Sequence, residues 1–418
     1  MARLCFSLAS FVLVSSCFCS KNLDSSDFDY VAVLPDIHGD ATAFLHSVYL
    51  IYKKTTPNAR FQDVSDFIDE LLLQIKGPTR RKSNPMDSRN RVLVVQLGDI
   101  IHRGKDSAFI YSFMDELDQI FKWTIVSLVG NHEIMAHLGK DSAYLHPEEH
   151  VQYGGHASRL KSFQENGVVW SFIKAKYGMM ARLGGRKDTS SSRSPRTLFV
   201  HGGVEISWFT DTASVPIDKC PNTGLPLISV DNVNAYFHSI LDNKAEVERV
   251  LMDSKSPLWS RSFLNLADSA LCAKLLPTVL KLFDVSRIIV GHSANSQDGR
   301  VRTRCGGKIV LADFAMSRGV NAKKRPNPGA LIMRLYTTGD GERQLKYISE
   351  LHSNNREHFW LKRPVMPITT TCNPTSTVED KKQSEKRSVE KSSSGSRKKT
   401  SKKKWYKKFF SMFRSCKK

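Results

Sequence analysis

This sequence has 418 residues, and its body, between the first twenty residues and the basic segment 381–418, lacks CxxC cysteine pairs, long apolar runs and internal repeats. Without a long apolar run after the first twenty positions, no membrane span is expected. The cysteines beyond those positions are odd in number and include no CxxC pair, so the sequence predicts neither a disulfide framework nor a zinc site. These cysteines are Cys220, Cys272, Cys305, Cys372 and Cys416.

The body also lacks a strong charge of either sign. The net charge of the chain is +21, but residues 381–418 hold 16 of its 62 basic residues and only 2 of its 41 acidic ones. The other 380 residues therefore carry a net charge of only +7. Because the basicity belongs to the C-terminal segment, we expect no nucleic-acid partner for the body of the protein.

The first twenty residues, "MARLCFSLASFVLVSSCFCS", place one arginine ahead of an apolar stretch that ends in small residues. This pattern is typical of a secretory signal peptide. We therefore expect entry into the secretory pathway, with the endoplasmic reticulum, a secretory organelle or the cell surface as the destination. An uncleaved amphipathic or acylated N-terminus is the alternative, since Cys5, Cys17 and Cys19 lie inside the segment.

The C-terminal segment divides into two parts. Residues 371–404 are rich in Ser and Lys and are expected to be disordered. Residues 402–418 form a basic tail with an apolar stripe that includes Trp405 and Phe409, a pattern that favours contact with a membrane surface. Cys416 in this tail offers an acylation site. A solvated basic tail and a calmodulin-type partner are the alternatives.

Between residues 29 and 350 the sequence alternates β and α patterns, which indicates an α/β catalytic domain with sheets flanked by helices. Two polar interruptions, residues 77–91 and 184–196, are expected to be surface loops. The segments predicted as strands are "YVAVLP", "RVLVVQL", "WTIVSLVG", "RTLFVHGG", "RIIVGH" and "KIVLADF". Polar residues follow several of these segments directly, at the sheet edge where chemistry is usually located.

Five of the predicted strand ends carry potential metal ligands. Carboxylate, imidazole and amide groups without thiolates suit Mn²⁺, Fe or Zn²⁺ in a catalytic site. Two such ions about 3.5–4 Å apart can polarise a phosphoryl oxygen and activate water for in-line attack. The candidate ligands are Asp36 and His38 in "LPDIHGD", Asp99 in "LGDIIHRG", Asn131 in "VGNHE", His201 in "HGG" and His292 in "GH".

The ordered set DxH, GDxxxRG, GNHE, HGG and GH resembles the metallophosphoesterase superfamily, and its loop spacing resembles the phosphoprotein phosphatase branch. Residues 256–261 ("SPLWSR"), 290–293 ("VGHS") and 313–319 ("DFAMSRG") resemble the Shewanella-like phosphatases. No segment of the SAPNY type, the C-terminal signature of the main eukaryotic Ser/Thr phosphatases, follows His292. The resemblance, which spans residues 29 to 320, implies a metallophosphoesterase-type layered fold with a metal centre at the strand ends.

On matching positions, the resemblance implies two divalent metal ions. Asp36 and His38 would hold the first ion, and Asp99 would bridge both. The residues that would complete the second site are Asn131, His201 and His292.

The resemblance also implies which residues handle the phosphate and the proton. Arg103 and, by looser analogy, Arg261 would clamp the phosphate, for which a planar guanidinium is suited. A surface salt bridge is the alternative for Arg261. His132 would be the general acid that protonates the leaving oxygen. Glu133 is expected to support its neighbours and not to act as a catalyst.

His102 stands where the family loop has an aspartate that orients the general-acid histidine. A neutral imidazole can accept a hydrogen bond from His132 but supplies no negative charge. We therefore expect His102 at the orienting position and not among the metal ligands. Asp106 is the only evident substitute acid in the sequence. A His102→Asp substitution is expected to raise turnover by roughly tenfold or more.

The sequence thus favours a two-metal protein phosphatase that acts on phosphoproteins. Phosphotyrosine is the first expectation, because the sub-branch that the chain resembles includes enzymes that prefer it, and phosphoserine or phosphothreonine is the second. A phosphoesterase for small nucleotides such as dinucleoside polyphosphates is the alternative within enzymes. A weakly active metal-binding scaffold tethered to a membrane is the alternative outside them. The sequence indicates no oligomeric state.

Overall fold

The computed structural model describes residues 22–76, 90–184, 196–213, 218–219, 226–294, 300–320, 325–337 and 343–352. The expected signal peptide, the Ser/Lys-rich stretch, the basic tail and most of the two predicted surface loops lie outside these residues. Within the described part of the chain, no helix has both the length and the hydropathy needed to cross a membrane.

Two six-stranded sheets form the centre of the described structure. The first has the order β14 (Arg343–His352), β13 (Gly329–Thr337), β2 (Tyr30–Leu34), β3 (Val92–Gln96), β4 (Thr124–Leu128) and β5 (Tyr177–Gly178). The second has the order β1 (Asn22–Asp24), β6 (Met180–Gly184), β7 (Thr197–Val200), β10 (Arg287–Val290), β12 (Ile309–Leu311) and β11 (Arg302–Arg304). A separate pair consists of β8 (Asp218–Lys219) and β9 (Pro226–Leu227).

Parallel strands occupy the middle of each sheet. In the first, β2, β3, β4 and β5 run parallel, with β13 antiparallel to β2. In the second, β7, β10 and β12 run parallel. Their carboxyl ends therefore lie along one edge of each sheet, which is where the predicted site residues begin.

Helices connect the strands and pack on the sheets. The α-helices are α1 (Ala41–Thr55), α2 (Val64–Lys76), α3 (Ser107–Phe121), α4 (Asn131–Leu138), α5 (Glu149–Gln152), α6 (His156–Phe163), α7 (Val168–Lys176), α8 (Val230–Ile240), α9 (Lys244–Leu251), α10 (Ser262–Asn265), α11 (Asp268–Ala270) and α12 (Leu276–Leu282). Short turns of 3-10 or π geometry occur at Ser25–Asp27, Ser142–Tyr144, Trp208–Thr212 and Leu271–Leu275.

The sheets are apolar on both faces. Val31 and Val33 of β2 pack with Ile289 of β10 in a core shared by the two sheets. Ala32 and Leu34, which point the other way because side chains alternate along a strand, join the core formed with the helices. Burial on both faces explains why the strand segments are continuous apolar runs and not alternating ones.

The predicted α/β layered fold is confirmed. All six predicted strand segments correspond to central strands, namely β2, β3, β4, β7, β10 and β12. The edge strands β1, β5, β11 and β14, the inner strands β6 and β13, and the β8–β9 pair were not predicted.

The expectation that the cysteines form no disulfide was wrong. Cys272 and Cys305, separated by 33 positions, are joined by a disulfide between the π turn at Leu271–Leu275 and the end of β11. Arg304, next to Cys305, donates to the carbonyl oxygens of Phe263 and Leu264. The error has a simple cause: an odd number of cysteines says nothing about which two the fold brings together.

Candidate metal and phosphate site

The structure brings all six predicted metal ligands together at the carboxyl ends of the central strands. Asp36 and His38 follow β2, Asp99 follows β3, Asn131 begins α4 after β4, His201 follows β7 and His292 follows β10. Each of these side chains is buried. Asn131 Oδ1 lies 3.0 Å from His201 Nε2, which joins ligands from the two sheets.

Asp99 lies at the centre of this cluster. Its Oδ2 is 3.7 Å from His38 Nε2, and its Oδ1 is 3.4 Å from His201 Nε2. Two groups of possible ligands share it, one with His38 and His132 and one with His201 and His292, and the atoms of each group lie within 4.8 Å of one another. A carboxylate shared in this way has the position that a bridging ligand requires.

Asp36 connects the two sheets beside this centre. Its Oδ2 lies 4.0 Å from His38 Nε2, and its two oxygens accept from the backbone N–H of His292 at 3.0 and 3.1 Å. A Cβ on Gly291 would lie 2.5 Å from Asp36 Oδ1, so a side chain there would collide with the carboxylate. The "GH" pattern therefore has a steric origin at its glycine.

The backbone at the site is locally strained. Left-handed conformations at non-glycine residues are uncommon and tend to occur at functional sites. Five site residues adopt them, with φ values of 46° to 69°: His38, Asp99, His102, Arg103 and His292.

Two observations fit the cluster to a cation. His292 Nε2 is buried and has no hydrogen-bond partner among the described residues, as expected for a nitrogen that binds a metal. Burial alone would lower the pKa of His201, but Asp99 and Asp36 raise it to about 10. The negative charge of the carboxylates therefore favours a cation in the cluster, and the donor set of carboxylate, amide and imidazole suits a divalent ion.

Glu133 holds the loop that carries Asp99. Its carboxylate accepts from the backbone N–H groups of Asp99, Ile100 and Gly130 at 3.0, 2.8 and 2.8 Å. The hydroxyl of Tyr111 donates to it at 3.1 Å. With these four donors around it, Glu133 occupies a supporting position.

The "DFAMSRG" segment supports the first ligand loop from the opposite side. The Arg318 guanidinium binds both oxygens of Asp40 at 2.9 and 3.0 Å, and Asp40 also accepts from the N–H of Ala43 at the start of α1. Ser317 donates to the carbonyl oxygen of His38. The segment therefore fixes the "DIHGD" loop, which explains why the two patterns occur together.

Arg103 and His132 lie side by side next to Asp99. Arg103 Nη2 is 3.4 Å from His132 Nε2, and His132 Nε2 is 3.8 Å from Asp99 Oδ2. The Arg103 guanidinium lies over the ring of Tyr144, 5.7 Å from its centroid. Arg261 is exposed at the N-cap of α10. Burial and the charge of His201 lower the pKa of His292 to about 3, and the charge of Arg261 contributes to this shift.

His102 is fully buried and contacts His132 on one side and a carboxylate on the other. Its Nδ1 lies 2.7 Å from His132 Nδ1, and its Nε2 lies 2.9 Å from Asp141 Oδ2. The carboxylate that contacts His102 is Asp141 and not Asp106, the candidate acid in the sequence, which accepts from the side chain of Gln152. Asp141 lies 39 positions beyond His102 in no recognisable motif, so the sequence offered no signal for it.

Asp313 is a site residue that the sequence could have yielded. It follows β12, just as the ligands follow their strands, and it is buried. Burial raises its pKa to about 6. After burial itself, the charge of Asp313 is the largest influence that raises the pKa of Asp36.

Tyr144, exposed beside Arg103, had no such signal in the sequence.

Comparisons with known proteins find a related sequence and a structure with the same fold. An uncharacterised protein of Schizosaccharomyces pombe is 22% identical over 295 residues, which are 69% of this chain and 80% of that protein. The crystal structure of a cold-active protein tyrosine phosphatase from a psychrophilic Shewanella species shares the fold, with a TM-score of 0.50, 17% identity and coverage of 78% of this chain and 82% of that one.

A protein serine/threonine phosphatase from Saccharomyces cerevisiae is more distant, with a TM-score of 0.41, 13% identity and coverage of 83% and 91% of the two chains. The family model of calcineurin-like phosphoesterases matches residues 30–296, more than half of the sequence and the whole span of the ligand cluster from Asp36 to His292. The chain therefore belongs to the calcineurin-like phosphoesterase family, the metallophosphoesterases that its motifs resemble.

Proposed function

We propose that the protein is a two-metal protein phosphatase of the Shewanella-like type that hydrolyses phosphomonoesters on proteins, with phosphotyrosine as its preferred substrate. The observation that carries the proposal is the position of Asp99. It belongs to both groups of possible metal ligands and lies directly beside Arg103 and His132. A shared carboxylate next to a guanidinium and an imidazole suits hydrolysis of a phosphate ester.

The residues of the site would have separate roles in metal binding and phosphate binding. Asp36, His38, Asp99, Asn131, His201 and His292 would hold the two ions. When bound, the ions polarise the phosphoryl group and activate water for attack. The Arg103 guanidinium binds and orients the phosphate oxygens, with the exposed Arg261 as a second cation near His292.

His132 would supply the proton to the leaving oxygen. Burial lowers its pKa to about 2, although the charge of Asp99 acts in the opposite direction. Its protonated form therefore needs further negative charge nearby. The phosphate dianion held by Arg103 brings such charge when the substrate binds.

Tyr144 supports an aromatic substrate. Its side chain is 39% exposed, and its ring meets the ring of His132 edge-on with centroids 4.9 Å apart. An aryl phosphate clamped by Arg103 would have its own ring close to this surface, where aromatic pairs are favourable. The Shewanella protein that shares the fold is described as a tyrosine phosphatase, which agrees with this choice.

A substrate panel tests the proposal. Purified protein loaded with Mn²⁺ is assayed against phosphotyrosine, phosphoserine and phosphothreonine peptides and against a dinucleoside tetraphosphate. We expect the fastest turnover on phosphotyrosine. Hydrolysis of the dinucleotide alone would make the protein a nucleotide phosphoesterase, and no turnover of any of them, with metal bound, would make it a metal-binding scaffold.

We further propose that the protein acts in the secretory pathway. Disulfides persist mainly in oxidising compartments, so the bond between Cys272 and Cys305 supports the expectation drawn from residues 1–20. A reporter fused to residues 1–30 should enter the endoplasmic reticulum. Retention of that reporter in the cytosol would contradict the proposal.

A further inference from the structure

Asp141 is a buried, ionised carboxylate directed at His102. It is 4% exposed and lies between the end of α4 and the turn at Ser142–Tyr144. Arg159 Nη1 is 2.7 Å from the same oxygen that contacts His102 Nε2. Burial alone would raise the pKa of Asp141, but the hydrogen bond from His102 and the Arg159 guanidinium lower it to about 2.

Arg159 is itself held in place. It is fully buried, its guanidinium stacks 5.3 Å from the ring centroid of Phe163, and its Nε lies 3.6 Å from Glu149. Glu149, also buried, accepts from the hydroxyl of Ser107. Asp141 therefore lies between His102 Nε2 and the Arg159 guanidinium, and the charge of Arg159 favours the ionised carboxylate.

With His102 neutral, the contacts specify which nitrogen of each histidine carries a proton. An ionised carboxylate only accepts, so His102 Nε2–H donates to Asp141. A neutral His102 ring that donates through Nε2 has its lone pair on Nδ1, where it would accept from His132 Nδ1–H. His132 Nε2 is left facing Arg103 and Asp99, where the substrate phosphate is expected.

We propose that His102 and Asp141 together are the positioning residues for His132. The inference rests on the proposed function, since it gives a purpose to the orientation of His132 as the proton donor. The carboxylate is not lost in this protein; it lies one imidazole further from His132 than the aspartate of the loop that the sequence resembles. A neutral His102 ring has one donor and one acceptor nitrogen. Through them the orientation and the negative charge of Asp141 influence the His132 ring.

Leaving-group dependence tests the proposal in the metal-loaded full chain. Asp141→Asn is compared with wild type on p-nitrophenyl phosphate, whose leaving oxygen needs little protonation, and on phenyl phosphate, whose leaving oxygen needs more. We expect kcat on phenyl phosphate to fall by about ten- to a hundredfold and kcat on p-nitrophenyl phosphate to fall far less, with little change in KM. Equal losses on both substrates, or no loss on either, would overturn the proposal.

Asp106→Asn is the matched control, because it makes the same change at a buried acid of the neighbouring loop that contacts Gln152 instead. Its turnover on both substrates should stay within about twofold of wild type. If Asp106→Asn showed the same leaving-group effect as Asp141→Asn, the assignment to Asp141 would fail.

A measurement on the wild type covers the case in which Asp141→Asn does not fold. Nitrogen-15 NMR of labelled histidines in the Zn²⁺-loaded protein should show His102 protonated at Nε2 and His132 at Nδ1. The reverse tautomers would overturn the relay. The tautomers are measured without turnover, so this result tests the contacts from Asp141 through His102 to His132 independently of the proposed function. A wild type that hydrolyses neither aryl phosphate would contradict the proposed function instead.

Discussion

The Nδ1 atoms of His102 and His132 lie 2.7 Å apart, and this contact changes the expected effect of His102→Asp. The sequence alone predicts a gain, because a carboxylate would replace a neutral ring. In the structure a carboxylate is already present at Asp141, so the substitution would place two negative groups side by side with Arg159 to balance them. We now expect His102→Asp alone to lower turnover on phenyl phosphate.

The double variant His102→Asp, Asp141→Asn distinguishes this explanation from a general loss of packing. It removes the repulsion and leaves one carboxylate in contact with His132, so turnover should recover by about tenfold relative to His102→Asp. Steady-state kinetics of the three proteins measures the effect. If His102→Asp alone turns over faster than wild type, the gain in turnover expected from the sequence is supported instead.

The disulfide should contribute measurably to stability. Replacing Cys272 and Cys305 together by serine removes a constraint across 33 positions, which should reduce the free energy of unfolding by about 2–4 kcal/mol. Urea unfolding of both proteins under oxidising conditions measures the difference. If the two midpoints coincide, the bond does not constrain the unfolded chain as expected.

Asp106 should make stability depend on pH. Burial, followed by the charge of Asp40, raises its pKa to about 6 in the folded protein, above its ordinary value of 3.8. The folded state therefore binds the proton more tightly than the unfolded state, and stability should fall as the pH rises from about 4 to about 6.

Asp106→Asn removes this dependence. The variant should be more stable than wild type by about 1–2 kcal/mol above pH 6, and the difference should shrink toward pH 4. Denaturant unfolding at several pH values provides the comparison. A constant difference across the range would show that Asp106 does not titrate in this window.

The central strands predicted from the sequence differ in physical kind from the edge strands that were missed. The central strands are recognisable because both of their faces are buried, as at Val31 and Ala32, and this leaves a continuous apolar run. Edge strands such as β11, "RTR", have no such run and depend on pairing with a neighbour. Asp141 was missed for a related reason: the tertiary fold brings it close to His102, and no recognisable motif or spacing in the sequence corresponds to this contact.

Tyr144 should influence substrate choice. Tyr144→Leu keeps an apolar side chain but removes the aromatic face beside His132 and Arg103. We expect kcat/KM on a phosphotyrosine peptide to fall by about three- to tenfold, as expected for the loss of one aromatic pair, with little change on a phosphoserine peptide. An equal fall on both peptides would assign Tyr144 to the support of Arg103 and not to recognition of the substrate ring.

Metal content of the Asp99→Asn variant is the most direct test of the central claim, that a shared carboxylate organises two metal ions for phosphoester hydrolysis. Because Asp99 is common to both groups of ligands, its loss should weaken both sites, whereas Asp106→Asn should leave them intact. We expect two ions per chain in wild type, clearly fewer than one in Asp99→Asn, and loss of turnover with an unchanged circular dichroism spectrum. Two ions still bound per chain in folded Asp99→Asn protein would contradict it.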